Sequence, residues 1–307
     1  MSDSAGEMGF IAWLRSQIPT KAGVTIGPGD DAAALHWPND RQLLITTDML
    51  LEGSCFRLVE AGPRQVGRKA MAVNLSDIAA MAGVPRAAVI SVGLPRQFGR
   101  DSAEELFLGV KQLADEFDVA IVGGDTNAWS GELAISVTMV GEATSRGPVC
   151  RSGANPGDWI FVTGPLGGSI RGHHLDFTPR VREALALHEN LDVHAMIDIS
   201  DGFSRDLHHI CEASRCGAII EANKLPISEA ANQFKDGMPP LDHALSDGED
   251  FELLFTVARE DGERLVAVPP KFPVFHVGYC VERGVWIEKL GHKEPLRPFG
   301  FEHRFGE

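Results

Sequence analysis

The sequence predicts an α+β fold in two domains, and three observations carry that expectation. Apolar runs of strand length alternate with segments of helical spacing in both halves, but without a strict strand–helix–strand repeat, so α+β layers fit better than a doubly wound sheet. A cluster of turn formers, Gly147, Pro148, Gly153, Asn155, Pro156 and Gly157, interrupts the chain and places a boundary between 1–146 and 147–307. The chain has 307 residues, of which 44% are hydrophobic, enough material for two cores.

In the first half, residues 10–18 read as a short amphipathic helix with Phe10, Ile11, Leu14 and Ile18 on one side. A strand at 24–26 leads into GPGDDAAAL. Gly27-Pro28-Gly29 has the opening of a dinucleotide fingerprint, but Asp30 and Asp31 stand where backbone N–H groups would have to face pyrophosphate. The strand at 43–47 ends in Asp48, and its Thr46, Thr47 and Asp48 oxygens suit a hard cation such as magnesium. Residues 73–83, VNLSDIAAMAG, read as the first turns of a buried helix, with Asn74 or Ser76 as its cap. Asp77 lies among small apolar residues there and needs a partner, because an unpaired buried charge is expensive. Lys69, upstream, suits either a phosphate or a surface ion pair. A strand at 87–94, a helix at 103–117 with Phe107 on its core side, a strand at 119–122 and a strand at 133–140 follow. The third of these delivers Gly123-Gly124-Asp125-Thr126, whose glycines allow a ligand close to the backbone.

In the second half, a strand at 159–163 enters the turn GPLGG, and 181–187 reads as a helix. A strand at 195–199 delivers Asp198, and Ser200, in the N-cap position, opens a helix running to about Ala213. Such a helix start favours an anion. His208 and His209 on this helix read as packing and surface residues. A strand at 217–222, a loop at 245–250 carrying Glu249 and Asp250, a strand at 251–257 and two edge strands at 274–278 and 285–288 complete the chain.

The formal charge of -15 argues against binding nucleic acid or an anionic membrane. Five scattered cysteines without a C-x-x-C pair indicate neither a zinc ribbon nor a disulfide framework. The first residues, MSDSAGEMGF, have no basic segment or long apolar run, so they do not read as a signal peptide. No stretch reaches the roughly 20 apolar residues of a membrane span, and a cytoplasmic location is the expectation. The aspartates that follow short apolar runs are the feature that needs explaining. We expect them to converge on Asp77 and to hold divalent ions, which would reconcile an acidic site with an anionic substrate. No Walker A loop occurs, so phosphate binding would rest on metal, glycine backbone and Arg151.

Taken together and in order, GPGDDAA, TTDMLLEG, GRKAMAVNLSDIAAMAGVP, GGDT, RSGANPGDWIFVTG, IDISDGFSRDLHH and LSDGEDFELLF resemble the thiamine-monophosphate kinases of the aminoimidazole-ribonucleotide-synthetase-like superfamily. The resemblance covers nearly the whole chain. It implies ATP-dependent phosphorylation of thiamine monophosphate to thiamine diphosphate. It implies a homodimer joined through the N-terminal domains, with a mixed sheet at the interface and an active site in a cleft between domains. By motif position it implies magnesium ligands at Asp31, Thr46, Thr47, Asp48, Asp77, Asp125, Asp198 and Asp201. It implies ATP contacts at Phe107, where the family often has a stacking Tyr, and at Gly124, Asp125, Arg151 and Ser200. On the substrate side it implies Cys55, Glu249 and Phe301. Two departures touch that side: EGSCF stands where the family usually reads EGxHF, so Cys55 replaces a His, and the segment between Gly168 and Pro179 is shorter than usual. The alternatives are another ATP-dependent synthetase of the superfamily, a nucleotide-binding relative without catalysis, or acids serving only as caps and solvated turns. A selenophosphate synthase would carry a Cys nucleophile in a Gly-rich loop, and none precedes Gly27.

Overall fold

The computed structural model describes residues 13, 14, 16–19, 21–26, 34, 35, 37 and 41–302. The sequence reading of 27–33, with Asp30 and Asp31, lies outside them, as does most of the helix expected at 10–18. Residues 13, 14, 16 and 17 are helical. The chain forms two compact units, one of Met1–Ile78 with Val84–Gly147, the other of Ala79–Gly83 with Pro148–Glu307.

In the first unit a short antiparallel pair, β1 (Val24–Ile26) and β2 (Ala34–Leu35), precedes β3 (Leu43–Leu51), α1 (Leu58–Ala80), β4 (Gly83–Pro95), α2 (Arg100–Glu116), β5 (Ala120–Trp129) and β6 (Ala134–Ala143). The last four strands make one mixed sheet in the order β3-β6-β4-β5. β3 pairs antiparallel with β6, and β4 pairs parallel with β5. That parallel pair requires a crossover, which α2 supplies. Helix α1 carries the NLSD stretch in its last turns, not its first, so neither Asn74 nor Ser76 caps it. The true interruption lies upstream at Gly62 (φ 73, ψ 158), after which Pro63 restarts the helix where a missing N–H costs nothing. The helix stays unbroken to Ala80 because it is buried: Val66, Ala70, Met71, Ala72, Leu75 and Ala79 have no solvent exposure. Helices α1 and α2 approach closely at two glycines. A Cβ on Gly67 would lie 1.9 Å from the Leu106 carbonyl oxygen, and one on Gly109 would lie 1.9 Å from that of Arg64.

The second unit contains β7 (Trp159–Val162), α3 (His173–Asp176), α4 (Val181–Asn190), β8 (Val193–Asp198), α5 (Phe203–Ser214), β9 (Gly217–Glu221), α6 (Glu229–Gln233), α7 (Pro240–Ser246), β10 (Leu253–Val257), α8 (Arg259–Ala267), β11 (Phe275–Val281), β12 (Val285–Lys289) and β13 (His292–Pro295). Its seven strands run in the order β13-β12-β9-β11-β7-β10-β8. Phe203, Leu207 and Ile210 of α5 cluster with Ile160, Val162, Ile197, Ile220, Leu254 and Val277 of the sheet. Full burial of side chains of this size contributes about 1.5–3 kcal/mol each. Neither strand expected at an edge is one: β12 lies between β13 and β9, and the strand near 274–278 is central, bonded to β7 and β9. Its brevity in the sequence concealed this, but Val277 and Cys280 are buried on it.

Candidate active site

Strand alternation decides which of the β3 residues can meet the helix. Leu44 and Leu50 are buried and Thr46 and Asp48 half-buried, while Leu43, Ile45, Thr47, Met49 and Leu51 are exposed. Thr46 and Asp48 therefore share the inward side. The Thr46 hydroxyl donates to Asp77 Oδ2 in the closing turns of α1. The Thr47 hydroxyl lies on the other side, donating to the Val137 carbonyl at 3.1 Å and meeting Thr138 Oγ1 at 3.0 Å. Its side chain is not brought to Asp77. Lys69 is neither at the surface nor free for a phosphate: it is fully buried and its Nζ donates to the Cys55 carbonyl at 2.6 Å. The loop that presents the half-buried Cys55 thiol is thereby tied to α1.

At the other edge of the sheet, Asp125 on β5 is exposed and accepts from Asn127 Nδ2 at 2.8 Å. Two strands, β6 and β4, separate it from Asp48 within one chain. At 4.7–4.9 Å per strand the edges are roughly 14 Å apart along the sheet. The glycine before it is a packing requirement, since a Cβ on Gly124 would fall 2.1 Å from the Ile90 carbonyl oxygen. We expect Gly124→Ala to cost about 1–3 kcal/mol by overpacking, read as a lower urea midpoint; an unchanged midpoint would contradict the contact. Phe107 is half-buried and packs edge-on against Trp13, with ring centroids 5.6 Å apart.

In the second unit, β8 ends at Asp198, which is 4% exposed, and the chain turns through Ser200, Asp201 and Gly202 into α5. Ser200 is not the cap. Gly202 (φ 118) occupies that position, and the N–H groups of Ser200, Asp201 and Gly202 donate to Asp206 Oδ2 at 3.1, 3.2 and 3.1 Å. One buried carboxyl thus shapes the loop that presents Asp198 and Asp201. Burial, with Asp198 and Asp201 beside it, pushes the Asp206 carboxyl up to about 8, against the N–H groups of Asp201 and Gly202. Asp201, Asp206 and His209 each bring a donor atom within 4.8 Å of the others. Burial and then Arg151 hold His209 below its usual range, so its imidazole is neutral at pH 7. Sequence reasoning missed Asp206 and read His209 as packing. The available signal was an acid placed in the first turn of the helix, where it can reach back to orphan N–H groups.

Backbone bonds gather the remaining residues around this loop. Glu249 N–H donates to the Ser200 carbonyl at 2.8 Å, and Phe301 N–H donates to the Asp201 carbonyl at 2.9 Å. Glu249 adopts a left-handed φ of 51°, as does Phe251 at 49°. Non-glycine residues in that region carry a strain that the surroundings must impose. They do: Asp250 Oδ1 accepts from Gly167 N–H at 2.8 Å and Asp247 Oδ2 from Gly168 N–H at 2.6 Å. The Ser169 hydroxyl donates to the Gly248 carbonyl at 2.6 Å. Asp250 is buried with Oδ2 unpartnered, and burial raises its carboxyl well above the usual range. The Phe301 ring is half exposed. Arg151 is exposed, its carbonyl accepting from Ser214 Oγ at 3.2 Å at the far end of α5. A cavity of about 600 Å³ between α4 and α8, lined by Leu187, Leu191, Leu265 and Phe272 among others, contains none of these residues.

The first unit thus presents aspartate and hydroxyl oxygens from within β3 and β5 and the last turns of α1, and the second from the end of β8 and the start of α5. Two family models match in that order: the N-terminal domain of AIR synthase related proteins over residues 29–143 and the C-terminal domain over 155–287. The two domains are therefore those of the AIR synthase related class. The thiamine-monophosphate kinase of Rhodopirellula baltica is 44% identical over 97% of both chains, and that of Escherichia coli K12 is 35% identical over 83% of both. Among solved structures, the thiamine-monophosphate kinase of Stenotrophomonas maltophilia matches with a TM-score of 0.80 at 33% identity, over 92% of this chain and 97% of that one. AaThiL, in a structure described as complexed with AMPPCP and TMP, matches with a TM-score of 0.77 at 31% identity over 97% of both chains. Within that class the chain belongs to the thiamine-monophosphate kinase family. The hydrogenase maturation protein HypE of E. coli, at 20% identity and a TM-score of 0.78, shares the fold. Among the described residues no helix is long and apolar enough to cross a membrane.

Proposed function

We propose that this chain transfers the γ-phosphoryl group of ATP to thiamine monophosphate, giving thiamine diphosphate and ADP. The observation that carries this reading is the match of the chain, over 97% of its length, to a ThiL structure that holds an ATP analogue and TMP. The acceptor needs no strong base, because a phosphate monoester with a second pKa of about 6 is largely a dianion at neutral pH. Its oxygen attacks the γ-phosphorus in line as the bond to the ADP oxygen breaks. The donor set is entirely hard oxygen, which fits magnesium: Asp31, Thr46, Asp48, Asp77, Asp125, Asp198 and Asp201 would hold it. Thr47 joins this set only through its backbone, since its hydroxyl faces the other way. Bound magnesium supplies neutralisation of the phosphate charges and stabilisation of the transferring group.

The chain's own residues position the reactants. Gly124 offers backbone to the nucleotide phosphates, Ser200 its hydroxyl, Arg151 its guanidinium, and Phe107 a ring to the base. Glu249, held in its strained conformation, and Phe301 face the substrate together with Cys55. Incubation with ATP, magnesium and thiamine monophosphate is expected to yield thiamine diphosphate and ADP in equal amounts. Product only with another acceptor would favour a different synthetase of the superfamily, and nucleotide binding without turnover would favour a non-catalytic relative.

The working unit in this reading is a homodimer built on the N-terminal sheet. Ile45 and Met49 on β3 are 65% and 62% exposed, an apolar stripe unusual on a free surface. β3 and β5 are also the two free edges of the sheet, and each carries a candidate ligand, Asp48 or Asp125. Two copies joined edge to edge would bring Asp125 of one to Asp48 of the other. Asp48→Asn and Asp125→Asn proteins should each be inactive. Mixed after reversible dissociation, they should regain about a quarter of wild-type activity, since half the dimers are mixed and each then has one intact site. No recovery on mixing would place both acids in one protomer's site.

A further inference from the structure

Three of the five cysteines meet in the second unit, at the far end of α5 from the Ser200–Gly202 loop. Cys211 is buried in the last turn of α5, Cys216 is half-buried just before β9, and Cys280 is buried on β11. The end of α5 brings the first two together. Cys216 N–H donates to the Cys211 carbonyl at 3.0 Å and Arg215 N–H to that of Glu212 at 3.2 Å, with Arg215 left-handed at φ 56. This is the Schellman arrangement, which packs the side chain two positions beyond the helix against the one in its last turn. Sheet register adds the third: Cys280 pairs with Ala218, two residues beyond Cys216 and on the same side of the strand. With the Cys211 and Cys280 thiols beside it, the Cys216 thiol is held below its usual range. Hydrogen bonding to Cys216 and burial raise the other two. The cysteines do not form a metal cage, since the trio of donor atoms found within 4.8 Å of one another among the described residues is Asp201, Asp206 and His209.

We propose that Cys216 is a site of peroxide oxidation and that Cys211 resolves it to a disulfide. The Cys216 thiolate attacks one peroxide oxygen, the O–O bond breaks, and a sulfenic acid forms as hydroxide leaves and is protonated to water. The sulfur loses two electrons and the peroxide gains them. Cys211 then gives up its proton and attacks the sulfenic sulfur; the S–S bond forms and the hydroxyl departs with that proton as water. Cys216 is the partly exposed member with thiolate character, which is the combination peroxide selects. Cys211 is the partner because one turn of backbone joins it to Cys216, whose N–H donates to its carbonyl, whereas Cys280 sits on a separate central strand.

Trypsin cleavage after Arg215 separates the two cysteines onto peptides 206–215 and 216–224. The full chain, treated with hydrogen peroxide and then alkylated, is expected to show these peptides joined without reductant and separate with it. Cys216→Ser should abolish the join. Cys211→Ser should instead leave a sulfenic acid on Cys216 that a cyclic 1,3-dione traps, at least about tenfold faster than at the exposed Cys150. The dione experiment on the unmodified chain needs no variant. Oxidation at Cys150 with Cys216 still reduced, or a join between Cys216 and Cys280, would overturn the assignment.

Discussion

Asp77→Asn is expected to lower turnover by about 10²–10³-fold at saturating ATP, acceptor and magnesium, in line with the removal of one preorganised electrostatic group from a transferring centre. Asp77 is half-buried in α1 among neighbours that are fully buried, and it faces the side of β3 that carries Thr46 and Asp48. The Thr46 hydroxyl donates to Asp77 Oδ2. Asparagine keeps the shape and can still accept from Thr46 while the charge is removed. Thermal unfolding should move by no more than about 2–4 °C, a change of roughly 1 kcal/mol. Raising magnesium should not restore the rate. Near-normal turnover under these conditions would exclude a central role for Asp77 and, with it, the reading of β3 and α1 as a metal-binding pair.

The second large effect concerns stability. Glu252 is 2% exposed, and Arg180 grips it through Nε at 2.8 Å and Nη2 at 2.5 Å. Thr163 Oγ1 donates to the same carboxylate at 2.6 Å and accepts from Leu253 N–H at 2.8 Å. Arg180→Met would leave the carboxylate buried with a hydroxyl as its remaining donor. Breaking such a pair from one side costs about 3–5 kcal/mol, because the surviving charge has lost both its partner and water. For a unit of this size the midpoint should fall by roughly 6–20 °C. The double change Arg180→Met with Glu252→Gln should recover more than half of the loss, since the penalty belongs to the orphaned charge. A single-variant cost below about 1 kcal/mol would mean that solvent or another cation reaches Glu252. The consequence for function is local: Glu252 directly follows the strained loop 247–251, so loosening it should also raise the KM for the phosphate acceptor at Glu249.

The reading of the sequence and the structure part at identifiable places. Strand and helix identities were legible because they rest on local periodicity: the strand read at 43–47, the helix at 103–117 and the helix running to about Ala213 carry their patterns within a dozen or so residues, though β3 continues to Leu51 and α2 starts at Arg100. The phase of α1 was not, because Gly62-Pro63 lies far upstream of NLSD and a buried helix shows no polar face to mark its start. Lys69 was misjudged for a related reason. Its partner, the Cys55 carbonyl, is a backbone atom that no side-chain pattern reveals.

What the sequence determined by itself is the inventory: which oxygens the chain possesses and, through their joint spacing, the family. Side-chain chemistry is a property of residue type and needs no fold to be read. Only tertiary structure decided which of those oxygens meet. Thr46 and Thr47 are identical in the sequence, yet the alternation of one strand sends Thr46 to Asp77 and Thr47 to Thr138. Asp206 became the organiser of the Ser200–Gly202 loop only when three N–H groups closed on it. Strand order likewise put Asp48 and Asp125 on opposite edges. These are contacts between residues distant in the chain, set by register and packing, and one side chain's chemistry does not encode another's location.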